Sequence, residues 1–251
     1  MADDRRTAIV TGGGSGIGLA ISERLAADGA AVAVLDRDGG AAEAAAAKIS
    51  ASGGTAMGVT ADVTDRTDVD AAVDAVGAAF GAPTILVNNA GLDGFSPFLE
   101  LSLEAWNRVL EVNLTGTFQC CQAVVPGMVE AGWGRIVNIS SSSAQGGQPF
   151  MTAYVSAKSA VIGFTKALAL ELGPKGITVN TIPPGFIDTP MLRDSESKGL
   201  LGPGVDVATA NTPVRRIGRP EDIAAATAFL VSEEASYVTG QVIGVNGGRN
   251  T

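Results

Sequence analysis

The sequence predicts an α/β protein: a single doubly wound Rossmann-type domain with a seven-stranded parallel sheet between helix layers. Three observations carry this expectation. Short apolar runs of strand length alternate with longer stretches whose apolar residues recur at helical spacing. No composition break or internal repeat divides the 251 residues, so 1–251 reads as one domain. A glycine-rich segment follows the first apolar run and opens the first helical one.

Composition narrows the class. An apolar fraction of 46% with 33 glycines and 5% aromatics suits a soluble, alanine-rich α/β chain and not a disordered one. No apolar run approaches a membrane span. The start, Met1-Ala2-Asp3-Asp4-Arg5-Arg6, leads straight into a strand-like run without a signal-peptide pattern, so a cytoplasmic protein is expected. Histidine is absent, and the two cysteines, Cys120 and Cys121, are adjacent. An ordinary zinc site and a histidine-based triad are thereby excluded, and no metal is expected. The net charge of −9 argues against nucleic acid and anionic membrane surfaces as partners.

Along the chain, 7–10 is the first strand. Thr11-Gly12-Gly13-Gly14-Ser15-Gly16-Ile17-Gly18 follows, and Ile17, Ala20, Ile21 and Leu25 then keep helical register. Such a loop lets backbone approach a pyrophosphate while the helix N-terminus supplies N–H donors; otherwise it is a glycine-rich turn without ligand. The strict G-x-G-x-x-G/A pattern fails, since from Gly14 its third position falls on Leu19; Gly12-x-x-x-Gly16-x-Gly18 is the spacing present. Strand 31–35 ends at Asp36, about 20 residues past the loop, where a carboxylate can accept from both hydroxyls of an adenosine ribose. It would also repel a 2′-phosphate, which favours NAD over NADP. Ser15 in the loop supplies no cation for that phosphate, whereas Arg37 is a counter-signal. Asp36 can equally be a cap or turn residue before helix 41–52.

Strand 55–60 precedes Asp62 and Val63; Asp62 either accepts from an adenine amine or caps a helix that starts near Asp65 and runs to Phe80 with Val69, Val73 and Val76 inward. Strand 84–87 precedes Asn88-Asn89-Ala90-Gly91, turn chemistry that also suits backbone passing under a flat ligand. Residues 103–130 read as long helical character around Asn113, a poor helix former that needs a partner, such as water, if buried. Strand 135–139 ends at four serines, 140–143. Helix 153–172 carries Tyr154 and Lys158, four residues apart and on one face. An ammonium beside a phenol eases its ionisation, so the pair can move a proton near neutral pH. Strand 177–182 leads to Pro183-Pro184-Gly185. The least regular stretch is 191–213, with Gly199, Gly202, Pro203 and Gly204, and it reads as a substrate lid. A helix over 221–231 and a seventh strand over 242–245 complete the order.

Together these motifs resemble the short-chain dehydrogenase/reductase family over nearly the whole chain. The family's T-G-x-x-x-G-x-G is Thr11 to Gly18, its N-N-A-G is Asn88 to Gly91, and its Y-x-x-x-K is Tyr154 and Lys158. The resemblance places the catalytic asparagine on Asn113. It selects Ser141, thirteen residues before the tyrosine. It also assigns Pro184, Gly185, Ile187 and Thr189 to the nicotinamide end. Two departures stand out: Pro183 where relatives often carry Asn or Ser, and Asn246 where many carry Asp.

The resemblance implies an NAD(H)-dependent oxidoreductase interconverting a secondary alcohol and a ketone by metal-free chemistry. Tyr154 would be the acid/base, with Lys158 lowering its pKa and binding the nicotinamide ribose. Ser141 would hold the carbonyl oxygen and Asn113 a relay water. Asn89, Ala90 and Gly91 would border the cofactor. A substrate pocket is expected from Asp93, Phe95, Gln145, Gln148, Phe150, Met151, Phe186 and 191–213, mainly apolar, although Phe150 and Met151 suit ordinary core packing equally. The alternative is reduction of a 3-oxoacyl thioester, of coenzyme A or a carrier protein; segment 129–135 offers only Arg135 beside Glu130 as a basic docking patch. A dinucleotide-binding protein without turnover is a third reading, against which the tyrosine, lysine and serine are all present. A homotetramer is likewise what the resemblance implies.

Overall fold

The computed structural model describes residues 5–202 and 204–249; Met1 to Asp4 and Pro203, part of the expected lid, lie outside the described residues. The elements run β1 (Thr7–Thr11), α1 (Gly16–Ala27), β2 (Ala31–Asp36), α2 (Gly39–Ala51), β3 (Thr55–Thr60), α3 (Arg66–Phe80) and β4 (Ile85–Asn88). Then come α4 (Leu103–Leu110), α5 (Gly116–Ala131), β5 (Gly134–Ile139), α6 (Ser143–Gly146), α7 (Thr152–Leu172), β6 (Ile177–Ile182), α8 (Pro190–Ser197), α9 (Gly204–Asn211) and α10 (Pro220–Val231).

All strand pairs are parallel, in the order β3-β2-β1-β4-β5-β6. Alternate residues of each strand serve opposite faces. Ala8, Val10, Val32 and Val34 pack with Ile21, Leu25, Ile49 and Ile223 of α1, α2 and α10. Ile9, Ala33, Leu35 and Leu86 pack with Val69, Val76, Cys121, Val124 and Met128 of α3 and α5. Burial of each large apolar side chain among these is worth about 1.5–3 kcal/mol.

The sheet has six strands, not seven. Residues 242–245 make only isolated bridges, Val242 to Thr181 and Val245 to Pro184. Pro183 and Pro184 have no N–H to donate, so the ladder breaks between Ile182 and Gly185 although the apolar pattern of a strand is present. The expected long helix is also interrupted: Glu111–Thr115 forms a π turn that joins α4 to α5. The expected irregular lid is largely helical, since α8 and α9 occupy it.

Strand order reverses between β1 and β4, so the segments leaving their carboxyl ends diverge and open a crevice. The Thr11 hydroxyl ties the two ends together by accepting from the Asn89 and Ala90 N–H groups, both at 3.0 Å.

Candidate active site

A cleft of about 740 Å³ lies along these carboxyl ends. Its floor is the glycine loop. Gly12 has φ +60°, a conformation that an L side chain rarely adopts, and a Cβ there would stand 2.9 Å from the Ala90 Cα. A Cβ on Gly18 would lie 2.2 Å from the Gly12 oxygen and 2.5 Å from Asn89 Nδ2. Asn89 Nδ2 itself donates to the Thr11 and Gly12 carbonyls at 3.0 Å, so the loop is locked from below. Ser15 is the N-cap of α1, yet its side chain makes no capping bond. The donors of this first turn therefore face the cleft uncapped, as an anion site requires. Across the cleft, Thr189 caps α8 by accepting from the Leu192 N–H, and its methyl group packs over Gly16.

Asp36 is not the cap of α2; Asp38 is, accepting from the Ala41 N–H at 3.1 Å. Asp36 instead lines the cleft, held by the N–H groups of Gly14 and Asp38 at 3.0 and 3.1 Å. Asp62 is not a cap either, because Asp65 caps α3. Asp62 accepts from the backbone and hydroxyl of Thr64, which together with Arg108 and Arg37 hold its carboxyl below the usual range against the opposing effect of burial. Arg37, Val63, Ala90, Gly91, Pro184, Gly185 and Ile187 also line the cleft; Gly18 supports it from behind.

At the other end the proton-transfer residues come together. β5 delivers Ser140 to Ser143, and α7 delivers Tyr154 and Lys158. Ser140 serves the structure, donating to the Lys158 carbonyl at 2.8 Å. Ser141 shares a 2.8 Å hydrogen bond with Ser143 and is a hydrogen-bond neighbour of the Tyr154 phenol. Lys158 donates to the Ile139 carbonyl at 2.9 Å, with Nζ 5.8 Å from the Tyr154 ring centroid. Asn113 is fully buried in the π turn. It donates to the carbonyls of Leu92 and Val109 at 2.8 and 2.9 Å. A Cβ on Gly91 would stand 3.0 Å from Asn113 Oδ1 and 3.5 Å from Lys158 Nζ, so both polar groups converge on that glycine.

The electrostatics correct one expectation. Burial pushes the Tyr154 phenol up to about 12; the Ser141 hydrogen bond works against this, and Asp93 adds to it. Burial draws Lys158 down to about 8. Desolvation disfavours both charged forms, and it outweighs the help the ammonium was expected to give the phenol. A stability test follows from the lysine. Between pH 8 and 10.5 the unfolded chain binds its proton and the native chain releases it, so this group makes stability rise with pH. Its destabilising effect, roughly 3 kcal/mol, is complete below pH 8 and gone above the unfolded value. Thermal melts should show the deficit of wild type relative to Lys158→Met shrinking across that window. The buried cysteines and Tyr154 titrate in the opposite sense in both proteins, and the difference removes them. A constant difference would refute the buried-ammonium assignment.

The substrate end is mixed. Asp93, Phe95, Gln148, Met151 and Phe186 line the cleft, but Gln145 and Phe150 do not. Gln145 sits on the exposed side of α6. Phe150 is 61% exposed, which also sets aside core packing; its φ of +64° turns the ring outward while its carbonyl accepts from the Ser96 N–H at 2.7 Å. Met151 is buried and lines the cleft at once. Sequence reasoning missed Leu92, Arg108, Val112, Ser143 and Arg249; the expected stretch 191–213 does reach the cleft, through Met191, Leu192, Ser195, Leu201 and Asn211 within or beside α8 and α9, which the sequence did not single out. Ser195 donates to Asp93 at 2.9 Å and fastens α8 to the pocket wall. Only amphipathic spacing in 191–197 could have signalled this. Among the described residues, no group of three or more Cys, Asp or Glu is placed to hold a metal ion, and no helix is long and apolar enough to cross a membrane.

A doubly wound sheet with a glycine loop at its switch point and a buried tyrosine–lysine pair defines a dinucleotide-linked oxidoreductase site. Comparison with known proteins agrees. A family model described as "Enoyl-(Acyl carrier protein) reductase" matches residues 12–250. D-threitol dehydrogenase of Mycolicibacterium smegmatis is 42% identical, over 98% of this chain and 93% of its own. The 3-oxoacyl-[acyl-carrier-protein] reductase FabG of Escherichia coli is 39% identical over 99% and 98%. The crystal structure of a tryptophan variant of actinorhodin polyketide ketoreductase with NADPH superposes with a TM-score of 0.95 at 38% identity, covering all of both chains. The chain belongs to the short-chain dehydrogenase/reductase family and is an oxidoreductase of the alcohol–ketone type.

Proposed function

We propose that this protein is an NAD(H)-dependent enzyme interconverting a secondary alcohol and a ketone. The observation that carries this reading is the buried Tyr154 phenol in the cleft, with Ser141 beside it and Lys158 one helical turn on. The nicotinamide supplies or accepts the hydride when bound. The glycine loop and the N-termini of α1 and α8 would hold the pyrophosphate, and Asp36 the adenosine ribose. Asp62 and Val63 would border the adenine, and Asn89 to Gly91, Lys158 and 184–189 the nicotinamide end. Ser141 holds the carbonyl oxygen by hydrogen bond. Tyr154 gives that oxygen a proton in reduction and takes it back in oxidation. Lys158 binds the ribose and, with Asn113 and a water, returns the proton to solvent.

Asp36 is the support for NAD over NADP: its carboxylate lines the cleft, where it would accept from the ribose hydroxyls and repel a 2′-phosphate, like charges in contact costing several kcal/mol. A panel of ketones and alcohols with NADH and NADPH in parallel should show NADH preferred by roughly tenfold or more in kcat/KM. Equal use or an NADPH preference would remove the role given to Asp36.

Reduction of a 3-oxoacyl thioester is the second reading, favoured by the FabG likeness. Carrier-protein docking through 129–135 is not supported. Arg135 is 3% exposed, stacked with Arg6 on the Trp133 ring and 3.6 Å from Glu233. Including 3-oxoacyl coenzyme A and carrier-protein thioesters in the same panel separates the readings. A homotetramer in the cytoplasm completes the proposal; Phe118, Leu170 and Tyr237 are exposed apolar surface that such an assembly would cover.

A further inference from the structure

We infer that Arg249 is the receptor for a charged group on the substrate, so that the cleft takes a ketone or secondary alcohol bearing a carboxylate or sulfonate. This rests on the oxidoreductase reading and names the substrate class of that same site. Arg249 lines the cleft, and its guanidinium lies 4.4 Å from the centroid of the Phe186 ring. Its Nη1 is shut off from solvent and has no acceptor among the described residues. The guanidinium makes no hydrogen bond or ion pair with a described residue, so an anion bound in the cleft would meet an unpartnered cation at its wall.

The other cations of the cleft are accounted for. Arg108 pairs with Asp62 and Glu111, and Lys158 donates to Ile139. Arg37 acts on Asp62 at the adenosine end.

The fold sets Arg249 at the opposite end. Asp36 and Asp62 follow β2 and β3, on one side of β1, whereas Pro184 and Phe186 follow β6 at the far edge of the sheet. The segment carrying Arg249 is fastened there. Gly185 donates to the Val245 carbonyl at 3.1 Å, Val214 to that of Gly247 at 3.3 Å, and Gly248 to Asn246 Oδ1 at 3.0 Å. Arg249 is thus held between the 184–186 segment and the end of α9. Among the described residues lining the cleft, Asp93 is the acid outside the adenosine end, and it is engaged by Ser195 and faces the charge of Lys198. A guanidinium whose plane is fixed by ring stacking suits a bidentate anion. The chain as a whole, at net −9, would repel an anion, so recognition needs a local cation of this kind.

The test uses matched pairs: acetoacetate and 4-oxopentanoate against their methyl esters, with 3-oxobutane-1-sulfonate as the sulfonate arm and 2-butanone as its neutral partner. kcat/KM is measured for wild type, Arg249→Gln and Arg249→Lys, with the preferred cofactor saturating. Cofactor affinity and thermal melts confirm that the variants fold. The ratio of charged to neutral substrate should favour the charged member in wild type. It should fall roughly 10- to 100-fold in Arg249→Gln, mainly through KM, and be partly kept in Arg249→Lys. Calorimetric titration of 4-oxopentanoate into the cofactor-loaded enzyme should lose affinity by the same factor. An unchanged ratio in Arg249→Gln overturns the inference while leaving the oxidoreductase reading intact. Tyr154-dependent turnover confined to neutral ketones or to thioesters also overturns it. Absence of any Tyr154-dependent turnover overturns both.

Discussion

Tyr154→Phe should lower turnover by roughly 100- to 10,000-fold, the range that a positioned acid/base contributes, while cofactor still binds. Phenylalanine fills the same buried volume, so α7 and the cleft wall should stay as they are. Only the hydroxyl that Ser141 approaches is lost. The residual rate should also lose its dependence on the ionisation of that group. The check is steady-state kinetics of the variant beside a titration of cofactor fluorescence. Normal rates would sink the assignment of Tyr154; loss of cofactor binding would show instead that the ring holds the site together.

The second large effect concerns the glycine loop. Gly18→Ala should destabilise the protein by about 1–3 kcal/mol or more and weaken cofactor binding severely. A methyl at that point meets the Gly12 carbonyl and Asn89 Nδ2, and neither can yield without opening the hydrogen bonds that fix the loop. Gly163→Ala is the matched control. Gly163 lies inside α7 with nothing within 4 Å of an added Cβ, so alanine there should be neutral or stabilise by up to about 1 kcal/mol. Denaturant melts and dinucleotide titrations of the two variants should diverge. A Gly18→Ala protein as stable and as tightly binding as wild type would contradict the packing described.

These effects were legible to different degrees in the sequence. Buried parallel strands such as Ala31-Val32-Ala33-Val34-Leu35 carry an unbroken apolar signal, and Tyr154 and Lys158 share a face by spacing alone. Burial is another matter. That Lys158 would be withdrawn from solvent, and that desolvation would dominate Tyr154, depends on how α7 packs against β5 and β6, which no local pattern records. The apparent seventh strand fails for a reason that is visible, but only once its partner is known to be a Pro-Pro pair. Phe150 leaves the pocket through one left-handed backbone angle that a phenylalanine gives no reason to expect. Arg249 carries no motif; its place is set by contacts that Asn246 to Gly248 make with segments more than thirty residues earlier.

The π turn around Asn113 has a consequence for phase. Val109 and Met128 are both buried and stand nineteen residues apart in sequence. On an unbroken α-helix, at about 100° per residue, that separation would leave them about 100° out of alignment. A π turn takes up one residue without advancing the helix, so eighteen effective steps bring Met128 back to the azimuth of Val109 after five full revolutions. The same wide turn that holds Asn113 thus works as a frame correction, letting one continuous rod present its inward face from end to end.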